Sequence, residues 1–166
     1  TTAGCESSDA LEVPLYPVPF KAADGRLQIF DGSKFEPLFI KGMNMGVALP
    51  GTQPGELAPT EADYDRWFSM LAEMGVNSIR LYTLHYPRFY KRLHFYNVTH
   101  PTKPLYVFHG IWLDEENPTL NLHDMQSGYD DNIVETIECV HGNNFVFERK
   151  GRAHGEYDTD ISPWVI

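Results

Sequence analysis

Cysteine is scarce in this chain, with only Cys5 and Cys139 among 166 residues. Their spacing suggests no disulfide, and Cys139, inside a helical pattern, reads as a buried thiol. Long apolar runs are missing as well, which excludes a membrane-spanning helix. Basic residues are in the minority, 13 Lys plus Arg against 23 Asp plus Glu. The resulting formal charge of −10 repels phosphate backbones and anionic membranes, so nucleic acid is not expected as a partner. His85, His109, His141 and His154 do not fall at zinc-type spacing and lie far in sequence from the cysteines, so no metal is expected. There is no phosphate-cradling glycine fingerprint and no Gly-x-Ser-x-Gly elbow. The obvious nucleotide-binding and serine-hydrolase readings are thereby removed, and no cofactor is expected.

What remains is an ordinary globular composition, 42% hydrophobic, long enough for one respectable core. The 13% of aromatic residues suits stacking on sugar faces and suits a large aromatic core equally well. Residues 1–22, with Pro14, Pro17 and Pro19, read as a tether or strap. Leu27–Phe30, the Asp31-Gly32 turn and Phe35–Ile40 read as a β-hairpin that opens a domain over 23–166. A glycine-punctuated loop follows Asn44. Thr60 then caps a helix with Asp63 three residues on, and Tyr64, Trp67, Phe68, Leu71 and Met74 share one face before Gly75.

Val76–Tyr82 reads as a strand, Pro87 opens a second helix with Phe89, Tyr90, Leu93 and Tyr96 inward, and Leu105–Trp112 reads as a third strand. A third helix is expected from Asp130-Asp131 to Gly142, and no clear strand is visible after Arg149. Strict alternation of strand and helix predicts a parallel sheet. The expected class is α/β, a partial (β/α)8 (TIM) barrel of about three βα units after the hairpin, since a whole barrel takes about 250 residues. An open parallel edge leads to the expectation of self-association.

In such a sheet the working face lies at the carboxyl ends of the strands. The first junction offers Asn44. The second offers Arg80, Tyr82 and His85; the third His109, Trp112 and the acidic run Asp114, Glu115, Glu116. Arg80 stands out, because an arginine in an apolar strand must reach water or a negative charge, either a carboxylate at the mouth or a structural ion pair. Trp112 is either a stacking platform or a lid on the core. The acidic run is either catalytic or a solvated loop start. Asn97-Val98-Thr99 fits a glycosylation sequon.

Two stretches carry a resemblance. Phe39-Ile40-Lys41-Gly42-Met43-Asn44, entered from the hairpin, and the run from Thr60 to Tyr82 with its Asn-Ser-Ile-Arg motif resemble the opening of glycoside hydrolases of the large retaining (β/α)8 clan. The run from Pro104 to Glu115 is similar to the third strand of a glycoside-hydrolase-like group, and the likeness spans roughly residues 26–166. It implies a carbohydrate substrate, with Arg80 supporting a nucleophilic carboxylate. Asn44, Arg80, Tyr82, His109, Trp112 and Asp114 become the implied sugar-binding residues. The catalytic glutamates of the clan follow its fourth and seventh strands, so none is expected in this chain and the chain alone is expected to be inactive. Separately, Thr2-Ala3-Gly4-Cys5 resembles the end of a bacterial lipoprotein signal, which would make Cys5 a lipid attachment point and the protein extracytoplasmic. The alternative expectation is a non-catalytic surface lipoprotein that binds glycans or another chain.

Overall fold

The computed structural model describes residues 19–113 and 121–166. Strands β1 (Phe20–Ala23), β2 (Arg26–Phe30) and β3 (Phe35–Pro37) form an antiparallel meander. Asp24 and Gly25, at φ 55° and 69°, make the left-handed pair that a two-residue hairpin turn requires. At the second turn the Asp31 carboxylate accepts from the Ser33 and Lys34 amides at 2.8 and 2.9 Å. The expected hairpin is therefore one half of a larger unit, and the last residues of the expected strap belong to β1. Pairing in the second arm stops at Pro37 rather than Ile40.

The second sheet is parallel, in the order β4 (Gly42–Asn44), β5 (Ser78–Leu81), β6 (Tyr106–His109). Helix α1 (Glu61–Glu73) links the first two strands and α2 (Pro87–Thr99) the next two. Helix α3 (Gln126–Val140) follows β6. It starts four residues before the expected Asp130, because the 3-10 turn Leu122–Met125 runs straight into it. A two-stranded ribbon follows, β7 (Asn144–Val146) and β8 (Gly155–Tyr157), where no strand was expected. Beyond it, Val165 bridges Val107 in parallel on the free side of β6. The fold is thus mixed α/β. Among the described residues the sheets do not close into a barrel, and β4 pairs on one side only.

The core lies between the parallel sheet and its helices. Tyr64, Phe68 and Leu71 of α1 meet Phe89, Leu93 and Tyr96 of α2 over Ile79, Leu81 and Val107. Met74, expected on the inward face, is 59% exposed, because α1 ends at Glu73 and the chain turns away at Gly75. Cys139 is buried, and burial pushes its thiol up to about 12. Cys5 lies outside the described residues.

Two asparagines clip the starts of the strands. Asn77 accepts from the Lys41 amide and donates to the Phe39 carbonyl, both at 2.8 Å, fixing the entry to β4. Asn97 accepts from the Leu105 amide at 2.8 Å and donates to its carbonyl at 3.0 Å. At 1% exposure inside α2, Asn97 serves as a backbone mimic; the sequon around it is closed to modification in the folded chain.

Candidate ligand cleft at the strand ends

Side-chain alternation in β5 sends Ile79 and Leu81 into the helix layer, where both are fully buried, and leaves Arg80 exposed on the opposite face. Asn44 and Phe108 are the register partners of Arg80 on the two neighbouring strands. Immediately beyond the strands, the rings of Tyr82 and Trp112 lie 5.8 Å apart at 60°. A Cβ on Gly46 would sit 2.5 Å from the Tyr82 hydroxyl, so glycine there lets the tyrosine lie against the loop after β4.

These groups line a cleft of about 600 Å³ walled by Val47, Pro54, Leu57, Arg80, Tyr82 and Trp112. A second recess of about 500 Å³ shares Thr83, Trp112 and Gly151 with it and adds Asp124, Tyr129 and Arg152. Trp112, 55% exposed, therefore stands between two halves of one trough along the carboxyl ends of β5 and β6. It is a projecting ring and not a lid on the core.

The implied site residues divide. Arg80, Tyr82 and Trp112 are brought together. Asn44 adjoins Arg80 in register but lines a separate groove of about 320 Å³ with Met43, Trp67, Met70 and Met74, along the free edge of β4. His109 is not in the cleft. As the partner of Leu81 it faces the helices, where its Nε2 and the Tyr90 hydroxyl are 2.7 Å apart, and burial lowers its pKa to about 4. His85 is likewise internal, at 0% exposure, with Nδ1 2.9 Å from the Tyr64 hydroxyl. Burial, reinforced by His109, takes its pKa to about 3. Asp114, Glu115 and Glu116 lie outside the described residues.

Three contributors were invisible in the sequence. Gly151 and Arg152 reach the trough from the loop of the β7–β8 ribbon, which Tyr157 anchors by donating its hydroxyl to the His85 carbonyl at 2.7 Å. Arg88, at the start of α2, donates from Nε to the Pro59 carbonyl at 2.7 Å and from a terminal nitrogen to the Leu57 carbonyl at 2.8 Å. One guanidinium thus holds the wall that carries Pro54 and Leu57, including Leu57 at φ 50°. Arg88→Met should leave both carbonyls without that donor, cost about 1–3 kcal/mol, and speed amide exchange across residues 49–59. Unchanged exchange there would rule out the clamp.

No family model, curated protein or solved structure matches the chain. Within the first half of the trough the described lining holds no carboxylate, imidazole or thiol, and its one charge is Arg80. Among the described residues no group of three His, Cys, Asp or Glu could hold a metal, and no helix is long and apolar enough to cross a membrane. The arrangement presents two aromatic rings beside a cation at the strand ends.

Proposed function

We propose that residues 23–166 form the opening portion of a (β/α)8-type, glycoside-hydrolase-like protein, and that the trough holds a carbohydrate. The observation that carries this reading is the placement of Tyr82 and Trp112 beside Arg80 at the carboxyl ends of parallel strands, the position where such folds bind ligands. Rings at this angle offer an apolar face for a sugar, and the polar groups around them offer hydrogen bonds. The alternation β4–α1, β5–α2, β6–α3, with Val165 entering beside β6, supports the scaffold half of the proposal.

A second reading, glycan binding without hydrolysis, is favoured by the lack of any acid–base pair in the described lining of the first recess. Both readings place the protein outside the cytoplasm with Cys5 as a lipid attachment point, and both allow the free edge of β4 to pair with a second copy. The decisive measurement is retention on immobilised polysaccharides. We expect the protein to bind at least one of them and Trp112→Ala to weaken that binding about tenfold. Equal retention of the variant would remove the platform from the account; turnover of the bound glycan by this chain would overturn the expectation that it carries no catalytic glutamate.

A further inference from the structure

The tip of the β7–β8 ribbon meets the far wall of the trough with no side chain to hold it there. Gly151 lines both recesses, and a Cβ on Gly55 would lie 3.7 Å from its Cα, so the tip and the loop after β4 touch as two bare glycines. Such a contact supplies a little dispersion and no directed bond. Lower down the ribbon is well anchored. Tyr157 donates to the His85 carbonyl, and the rings of His154 and Tyr86 meet edge to face at 5.0 Å. Those anchors grip β8 and its approach, and they leave residues 149–152 to be stationed by something else. This short turn also carries Arg149, Lys150 and Arg152, cations that repel one another.

Glu135 meets that charge from behind. It stands on α3 and lines neither recess, and its side chain is only 23% exposed. One carboxylate oxygen accepts from Arg149, and the other lies 3.8 Å from the guanidinium of Arg152, which donates to Asn132 at 2.6 Å. The Arg152 amide closes the turn by donating to the Arg149 carbonyl at 3.1 Å. The Glu135 carbonyl accepts from the Asn144 side chain at 3.3 Å, so one residue grips the ribbon at its first strand and at its tip. A carboxylate shared by two guanidinium groups of one short turn fixes their geometry, which an isolated surface pair does not. We propose that Glu135 is a positioning residue for the cleft: through Arg149 and Arg152 it stations the ribbon tip against Gly55 and so sets one wall of the trough. Ligand affinity then depends on a carboxylate that no ligand touches. That dependence rests on the sugar-binding reading above, whereas the hold on the tip does not.

Charge reversal separates this role from a general loss of packing. Glu135→Arg sets a third cation against the two arginines, and Glu135→Arg combined with Arg149→Glu restores an opposite pair. Glu138→Arg makes the same charge change at an exposed position of α3 and is the control. Amide exchange and retention on immobilised polysaccharide are measured for the full chain and for each variant. Glu135→Arg should speed exchange at the Arg152 amide about tenfold and weaken retention about fivefold. The Ile161 amide, bonded to the Val140 carbonyl, should be unaffected. The double variant should bring both readings within about twofold of the unaltered chain, and the control should move neither. Unchanged exchange at Arg152, faster exchange at Ile161 as well, or faster exchange at Arg152 with full retention overturns the proposal. An equal effect of Glu138→Arg, or failure of the double variant to restore, does the same. If the unaltered chain is retained on no polysaccharide, the sugar-binding reading falls and the claim on affinity with it, while exchange at Arg152 still decides whether Glu135 holds the tip.

Discussion

Acidification from pH 6.5 to 4 is expected to strip this protein of stability faster than its surface charges can explain. His85 and His109 are held neutral inside the helix layer, with burial the first cause, and their pKa values fall from 6.5 to about 3 and about 4. In the unfolded chain both imidazoles take up a proton near 6.5. The folded chain refuses those protons until pH 4 and below, so throughout this window the unfolded state binds more protons and stability rises with pH. Two withheld protons give a limiting slope of about 2.7 kcal/mol per pH unit. The carboxylates act elsewhere on the scale. Asp31, Asp63 and Asp158 are held below 3.8, the first two by backbone hydrogen bonds and the third by Lys91, and their contribution is lost only below that value. Urea unfolding at pH 7, 6, 5 and 4.5 reads the slope directly. His109→Gln keeps a partner for Tyr90 and removes one titrating group, so its slope should be about half. A flat profile between pH 7 and 5 would show that the two rings take up protons as readily in the native state as in the unfolded chain.

Gly142→Ala should be strongly damaging, because the added methyl group meets main chain. Gly142 ends α3 at φ 67°, and a Cβ there would lie 2.6 Å from the backbone of Thr159 and 2.7 Å from the Asp160 amide. Left-handed backbone strain and a clash with main chain act together, since the segment behind it is fixed by the Ile161 amide bonding to the Val140 carbonyl at 2.9 Å. The cost is about 2–4 kcal/mol. Gly128, in the same helix, is the control. A Cβ there meets nothing within 4 Å, so Gly128→Ala should stabilise by about 0.5–1 kcal/mol. Thermal melts of the two variants should move in opposite directions. Equal shifts would mean that the Thr159 segment yields freely, and the tight packing at the end of α3 would have to be abandoned.

Much of the fold was legible because local signals agreed with one another. Thr60 and Asp63 do form a reciprocal cap, Pro87 does open α2, and the run around Ile79 is a strand buried as its composition suggests. The β7–β8 ribbon was hidden for the opposite reason. Each strand has three residues, too few to show a period, and Phe145 points into solvent. Arg80 was visible as a lone charge in an apolar run. His109 misled, because the face it takes depends on pairing with Leu81 across two strands, a register that sequence alone does not fix. The role of Asn97 was masked by a sequon. Its true partner, Leu105, lies eight residues on, past the end of the helix. Arg88 gave no signal, since its acceptors are carbonyls some thirty positions back.

The asparagine clips have a consequence for how such a chain is free to change. Asn77 and Asn97 grip the strands where they begin, while the cleft is assembled where the strands end, from the loop after β4, the loop after β6 and the tip of the ribbon. Substitutions, insertions and exchanges among those loops leave both clips untouched. The molecule thus separates what must be inherited unchanged from what can drift, and a new ligand can be acquired at one end without renegotiating the architecture at the other.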